Sequence, residues 1–486
     1  MTFVNNLILK SLQILTILMP IQNILVLFLV SKLKLTMWIS FWKEFLILFV
    51  ILLMIQDISK KIAILLKDSL CKVVMLVFCL LNLSILSSSF LLNKISFNQF
   101  GFGFRFEIFW LWLLVVSFIW LRLNSFSDLP LVKLLYKQLS KSILLGFGLC
   151  SIFSTGALIL GNNFLSLFGY STIETNSNTV GFSPLCHSID FGIDACRLSA
   201  PFSTPNHLAG YLLMILGFLL FNLYNNWQSF GNSFRSQIFY NAQRFETQSF
   251  LFLSSMCLFL IFQTYSRFAI IGVILFTVTI SLLYCQKKYL FINRFYPILC
   301  FCLFFVVTVS SILITSFDPS LTNFLPMAIA KPSSSLEHYR LTGVNIDIIK
   351  QEPRVLYTGF GIGTSGPSAK YSPKGEEPKL VKDFGNLSYK WFIAKDRIII
   401  PENWYLQLIL NGGLIYLLLY LFTIFIPIFD FVEYIKKRDS SIILAVAFVS
   451  IIIGNLFLHL WENQTIVIYW SIISLWLQSR KIILNN

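Results

Sequence analysis

The sequence predicts an all-α polytopic membrane protein, and three observations predict it. The chain is 56% hydrophobic and 16% aromatic but only 12% charged, an apolar fraction above that of globular domains. Its apolar residues gather in runs of ~17–25, long enough to cross a bilayer as helices, which satisfy their own backbone there. A single long polar stretch, residues 317–401, interrupts these runs. Together they make residues 1–486 one integral-membrane domain.

About twelve apolar runs follow in order: residues 11–31, 37–55, 71–92, 104–123, 142–160, 207–224, 249–265, 268–284, 297–316, 403–428, 440–460 and 464–479. The two on either side of Arg267 leave room only for a tight turn. The first run is too long for a cleaved signal and is followed by no small-residue cleavage site, so it reads as an anchor. An even number of crossings puts both termini on one side.

Basic residues in short connections orient the chain. Lys60, Lys61 and Lys67 follow the second span, Arg122, Lys133 and Lys137 the fourth, Arg235 and Arg244 the sixth, and Lys287, Lys288 and Arg294 the eighth. Lys436, Lys437, Arg438, Arg480 and Lys481 agree, and basic connections face the cytoplasm. Both termini are then cytoplasmic in a cell membrane, and a smaller loop, 161–206, and the large loop, 317–401 between spans nine and ten, are extracytoplasmic. Lys32 and Lys34 disagree, because this count puts their short loop outside. The excess of 37 Lys and Arg over 22 Asp and Glu belongs to this topology and to anionic lipid, not to nucleic acid.

Most of the nine Cys stand singly in or beside spans and act as small hydrophobes. Cys186 and Cys196 share the smaller outer loop, an oxidising location on this topology, where a local disulfide and two free thiols are both open readings. No Cys/His spacing fits a metal site, and no metal or other cofactor is expected.

The large loop opens as a helix. Ser334 and Glu337 fit a capping box, Leu336, Leu341, Val344, Ile348 and Ile349 form one apolar stripe, and Pro353 ends the pattern. Arg340 lies on it, as a surface ion-pair partner or as a functional group. Gly359, Gly361 and Gly363 follow, candidates to offer backbone N–H groups to phosphate, although no strand-helix unit surrounds them and a dinucleotide fold is excluded. Arg197 precedes the sixth span, Arg267 stands at the junction of the seventh and eighth, and Glu402 opens the tenth. Lys10 and the Lys43-Glu44 pair are the charges read inside apolar runs of the first half. Arg197, Arg267 and Glu402 each have a plain alternative, Arg267 as a topological punctuation mark and Glu402 as a complement to its own helix dipole. Taken together they place guanidinium groups and a carboxylate on one membrane face. That set suits glycan transfer from a lipid-linked pyrophosphate, with Arg holding phosphate oxygens and a carboxylate taking the proton of an attacking hydroxyl.

Four motifs in order carry a family resemblance. They are Arg197-Leu-Ser-Ala-Pro-Phe-Ser-Thr-Pro205-Asn206, Ser266-Arg267, Arg340 followed by Pro353 and Gly359-Phe-Gly361-Ile-Gly363, and Glu402-Asn403-Trp-Tyr405-Leu-Gln407 with Gly412-Gly413. Over residues 190–430 the chain resembles the O-antigen ligase and O-antigen polymerase superfamily of integral-membrane glycan transferases. The resemblance implies a GT-C-like architecture, catalytic roles for Arg267, Arg340 and Glu402, and substrate contacts from Arg197, Asn206, Gly359, Gly361, Gly363, Asn403, Tyr405 and Gln407. The implied donor is a polyprenyl-pyrophosphate-linked glycan, and the acceptor a glycan, lipid or protein hydroxyl. Ligases of that family carry His-Asn where this chain has Glu402-Asn403, whereas several polymerase-like members carry Glu, which tilts the expectation toward a surface-polysaccharide polymerase. Protein O-glycosylation and lipid-linked oligosaccharide translocation are the competing expectations. A two-halved secondary transporter is disfavoured, because no internal repeat is visible.

Overall fold

The structure, a computed structural model, describes residues 3–170, 197–230, 237–286, 332–366, 369, 403–437, 440–456, 458, 460 and 463–485. Among these residues it is all helical. In chain order the helices are α1 (Phe3–Leu18), α2 (Gln22–Ser31), α3 (Trp42–Ser59), α4 (Ile62–Leu65), α5 (Ser69–Leu86), α6 (Phe97–Glu107), α7 (Phe109–Ser125), α8 (Leu129–Ser166), α9 (Pro205–Phe230), α10 (Gln237–Gln263), α11 (Arg267–Gln286), α12 (Pro332–Gln351), α13 (Val355–Thr358), α14 (Trp404–Lys437), α15 (Ile442–Gly454) and α16 (Gln464–Asn485). Asp68 caps α5 by accepting from the Cys71 N–H at 2.9 Å, Ser96 caps α6, and Asp128 followed by Pro130 starts α8.

Seven helical stretches among the described residues are long and apolar enough to cross a membrane, and α6 with α7, bent by 48° at their junction, make an eighth. The expected spans at 268–284 and 440–460 appear as shorter apolar helices, Arg267–Ser281 and Ile442–Gly454, and the run at 464–479 lies within α16. The run at 297–316 and most of the large loop lie outside the described residues. The apolar stripe expected at the start of that loop falls on α12, where Leu341 and Ile348 are buried and Val344 and Ile349 pack beside Val355, Phe360 and Leu410.

Helices α7, α9 and α16 form the centre of the bundle, with Trp110, Trp120, Tyr211, Trp470 and Trp476 wholly buried. Exposed Leu, Ile and Phe on α3, α5 and α8 give the rim its apolar surface, the pattern of lipid-facing helices. One end of the bundle is basic. There the Lys61 ammonium donates to Asp57 at 2.9 Å and to Asn124 at 2.7 Å, Arg122 pairs with Asp68, and Arg480 donates to Asn225.

Toward the opposite end three irregularities meet. The chain after α5 runs as a π-helix over Ser87–Leu92, α6 bends into α7 beside Glu107, and α14 is broken at Gly413 (φ 83°, ψ −178°). A break frees carbonyls that an apolar bundle must satisfy. Residues 359–366 do so: Phe360 N–H donates to Leu410 O at 2.6 Å and Gly361 N–H to Asn411 O at 2.9 Å. On the other side of this loop Ser88 donates to Thr358 O, Ser89 Oγ accepts from Ile362 N–H at 3.1 Å, and Gln99 Nε2 donates to Gly363 O at 3.0 Å. Asn411 lies seven residues into α14, about 10 Å along its axis, so the glycine loop plunges into the bundle and does not ride on its surface.

Candidate functional site

The segment before α9 is stitched down at this same end. Leu198 N–H donates to Gln263 O at 3.0 Å, Ser154 Oγ donates to Ala200 O at 2.8 Å, and Leu198 and Phe202 are buried. Thr204 then caps α9 by accepting from His207 N–H, with Pro205 in the first turn. The tight turn foreseen between α10 and α11 is Thr264-Tyr265-Ser266, and Arg267 opens α11.

These pieces bring five residues together. Arg197 donates through Nε to Thr264 O at 2.8 Å and through Nη2 to Asn206 Oδ1 at 2.9 Å. The same Asn206 oxygen accepts from Ser266 Oγ at 3.0 Å. Arg267 stands close enough for its charge to act on Arg197, whose pKa is pushed down to about 10, first by burial and then by that second guanidinium. Among the described residues both acceptors of Arg197 are neutral, so these hydrogen bonds fix its plane without cancelling its charge. Two guanidiniums near enough to feel each other's charge in a partly buried setting create a positive potential that an anion relieves. Sequence reading placed Arg197 and Asn206 before the helix and Arg267 at the junction, but Thr264 and Ser266 as the clasp between them were visible only in three dimensions.

The start of α14 lies beside that cluster. Trp404 N–H donates to Asn455 O at 3.0 Å and Tyr405 Oη to Ile452 O at 2.7 Å, both at the end of α15. Gly454 of the same turn abuts Phe268, the neighbour of Arg267, so closely that a Cβ there would sit 2.9 Å from its ring. Asn403 caps α14, its Oδ1 accepting from Leu406 N–H at 3.0 Å. Tyr405 and Asn403 therefore serve the helix start in this structure. Glu402 lies outside the described residues, as do Cys186 and Cys196. Arg340 is on α12, and only the helix that carries it is described.

The glycine triplet is buried. Gly359, Gly361 and Gly363 have φ of 61°, 96° and 79°, a region L side chains rarely adopt. The N–H groups of Gly359 and Gly361 already donate to Val355 O and Asn411 O. The expectation that these two groups face phosphate gives way to packing: a Cβ at Gly359 would lie 2.4 Å from Gly412 N, and one at Gly363 2.6 Å from Gln99 O.

Gln407 points to a residue that sequence reading passed over. Its Nε2 donates at 3.3 Å to Glu107 Oε1, which also accepts from Asn411 Nδ2, while Tyr416 Oη donates to Glu107 Oε2 at 3.1 Å. Glu107 is 2% exposed. Its signal was present, a carboxylate four residues into the fourth predicted span, where an ionisable group is rare and functional by default. Arg105, two residues earlier, holds Glu44 with Nε at 2.6 Å and lies over the Phe41 ring. The Lys43-Glu44 pair is thus one corner of an ion cluster that ties α3 to α6. No family model, curated protein or solved structure matches this chain. The site therefore stands on its own geometry. Among the described residues no group of three His, Cys, Asp or Glu is arranged to hold a metal ion.

Proposed function

We propose that this protein is a membrane glycosyltransferase that moves a glycan from a polyprenyl-pyrophosphate carrier to an acceptor hydroxyl, in the manner of the O-antigen polymerases and ligases that its motifs resemble. The observation that carries the reading is the arginine cluster at the end of the bundle away from its basic connections, where Asn206 ties Arg197 to Ser266 and the next residue, Arg267, is near enough for its charge to act on Arg197. With basic connections cytoplasmic, that end faces outward in a cell membrane, both termini lie inside, and twelve spans put the large loop outside.

The reaction is a single displacement. The acceptor oxygen bonds to the anomeric carbon as the carbon–oxygen bond to pyrophosphate breaks, the electron pair leaves with the lipid pyrophosphate, and the hydroxyl proton passes to the Glu402 carboxylate. Arg197, Arg267 and, from α12, Arg340 take up the charge that grows on the leaving group. The anomeric centre inverts. No metal or nucleotide is invoked.

The test is incubation of the purified protein with a lipid-pyrophosphate-linked glycan. Chain growth supports a polymerase, transfer to a polypeptide supports protein O-glycosylation, and movement across a vesicle without product supports a translocator and overturns the transferase reading. Glu402→Gln should abolish transfer while membrane insertion is retained; polymer of normal length from that variant removes Glu402 from the mechanism. Asn206→Ala, which unlocks Arg197 from Ser266, should lower transfer by about tenfold, the scale of one charge-assisted hydrogen bond.

A further inference from the structure

Glu107 sits where α6 bends into α7, wholly buried, and its described side-chain hydrogen-bond partners are all neutral and all on α14. They straddle the break at Gly413. Before the break, Gln407 and Asn411 donate to Oε1; after it, Tyr416 donates to Oε2 and Tyr420 Oη to the Glu107 backbone carbonyl at 2.8 Å. One residue therefore clasps both halves of a broken helix. The amide of Asn411, oriented by donating to Glu107, turns its Oδ1 toward the glycine loop, where it accepts from Ser365 N–H at 3.1 Å and Ser365 Oγ at 2.9 Å.

We propose that Glu107 is a positioning residue: it sets the angle across the α14 break and, through Asn411, the register of the 359–366 loop. The first half of α14 is capped by Asn403, which directly follows Glu402 in sequence, and the loop follows the helix of Arg340. A buried carboxylate with neutral partners is expensive to keep in an apolar bundle. Here it supplies what an amide cannot, acceptor oxygens on both sides of the break. A Gln in its place would turn an NH2 group toward donors. The consequence for catalysis rests on the transferase reading; the consequence for the loop does not.

The experiment uses the full chain in lipid nanodiscs, wild type beside Glu107→Gln and Tyr416→Phe, the second variant removing only the Oε2 contact. Amide exchange is followed in the peptide covering 357–366, and kcat and KM are measured with a lipid-linked donor. For Glu107→Gln, exchange in that peptide should rise about tenfold, as a local opening of low cost does. Its kcat should fall by about a hundredfold, the scale of a 1 Å misplacement, with donor KM within about twofold. Tyr416→Phe should move both in the same direction by less, and decides the question alone if the Gln variant does not fold. Wild-type exchange in whichever variants fold overturns the proposal. A rise in KM that accounts for the whole loss also overturns it, because a positioning group does not hold the donor. If the wild type transfers nothing, the transferase reading fails and exchange alone judges Glu107.

Discussion

Replacing Gly359 with Ala tests the interlock of loop and broken helix most directly. Gly359 has φ 61° and ψ −172°, a region nearly restricted to glycine that costs another residue ~1–3 kcal/mol. The added Cβ would lie 2.4 Å from Gly412 N and 2.5 Å from the carbonyl carbon and oxygen of Asn411. Those are backbone atoms, which cannot swing aside as a side chain does. Relief requires the loop to back away from α14 and give up the bonds from Phe360 N–H to Leu410 O and Gly361 N–H to Asn411 O, each worth ~0.5–1.5 kcal/mol net. The sum is ~2–6 kcal/mol. Gly361→Ala is the control: its φ is also positive, at 96°, but the nearest atom is the Ile95 methyl at 3.1 Å, so ~1–2 kcal/mol of backbone strain is the main expected cost. Unfolding by SDS titration from mixed micelles, followed by tryptophan fluorescence, measures both. Equal losses for the two variants, or none for Gly359→Ala, would refute the interlock.

Inorganic pyrophosphate should raise the unfolding temperature of the wild type and have no effect on Arg197→Gln. Because burial and Arg267 lower the Arg197 pKa to about 10, its charge is a cost to the fold below that pH, an anion offsets the cost, and the stabilisation should fade as pH rises through about 10; a flat response would contradict the assignment. At the basic end, burial raises the Asp68 pKa, but the Cys71 N–H and Arg122 outweigh it and hold the carboxyl below its ordinary value. Its contribution should therefore be present above the ordinary carboxylate range and lost as pH falls through the folded value. Asp68→Asn keeps the cap and should cost under ~1 kcal/mol, whereas Asp68→Ala should cost ~1–2 kcal/mol at neutral pH, measured by the same titration.

The local parts of this fold were legible in the sequence because each was written in contiguous residues. Apolar runs marked the seven or eight long apolar helices among the described residues, Ser266-Arg267 marked a helix start, and the stripe from Leu341 to Ile349 marked the face α12 buries. The bend at Glu107, the π-helix at Ser87–Leu92 and the break at Gly413 were not legible. Hydropathy averages over such irregularities, and their partners lie hundreds of residues away. The same distance hid the glycine loop's role: three glycines in five residues fit a phosphate cradle and a close crossing equally well, and only the carbonyls of Leu410 and Asn411 decide between them. At the site, the arginines were visible as charges in costly places, while their spacing depended on Asn206, whose side chain gains meaning only when Thr264 and Ser266 arrive beside it.

The buried loop also bears on how the chain matures after synthesis. Ser88 and Ser89 find their partners 270 and 273 residues downstream, and the freed carbonyls of α14 are met by a segment made before it. No early bundle of the first spans can be final, since its π-helical corner waits open until residues 358–413 are delivered. Truncated chains ending before Trp404 should accordingly reach the membrane yet remain substrates for membrane quality control, with maturation completed in one late closing step.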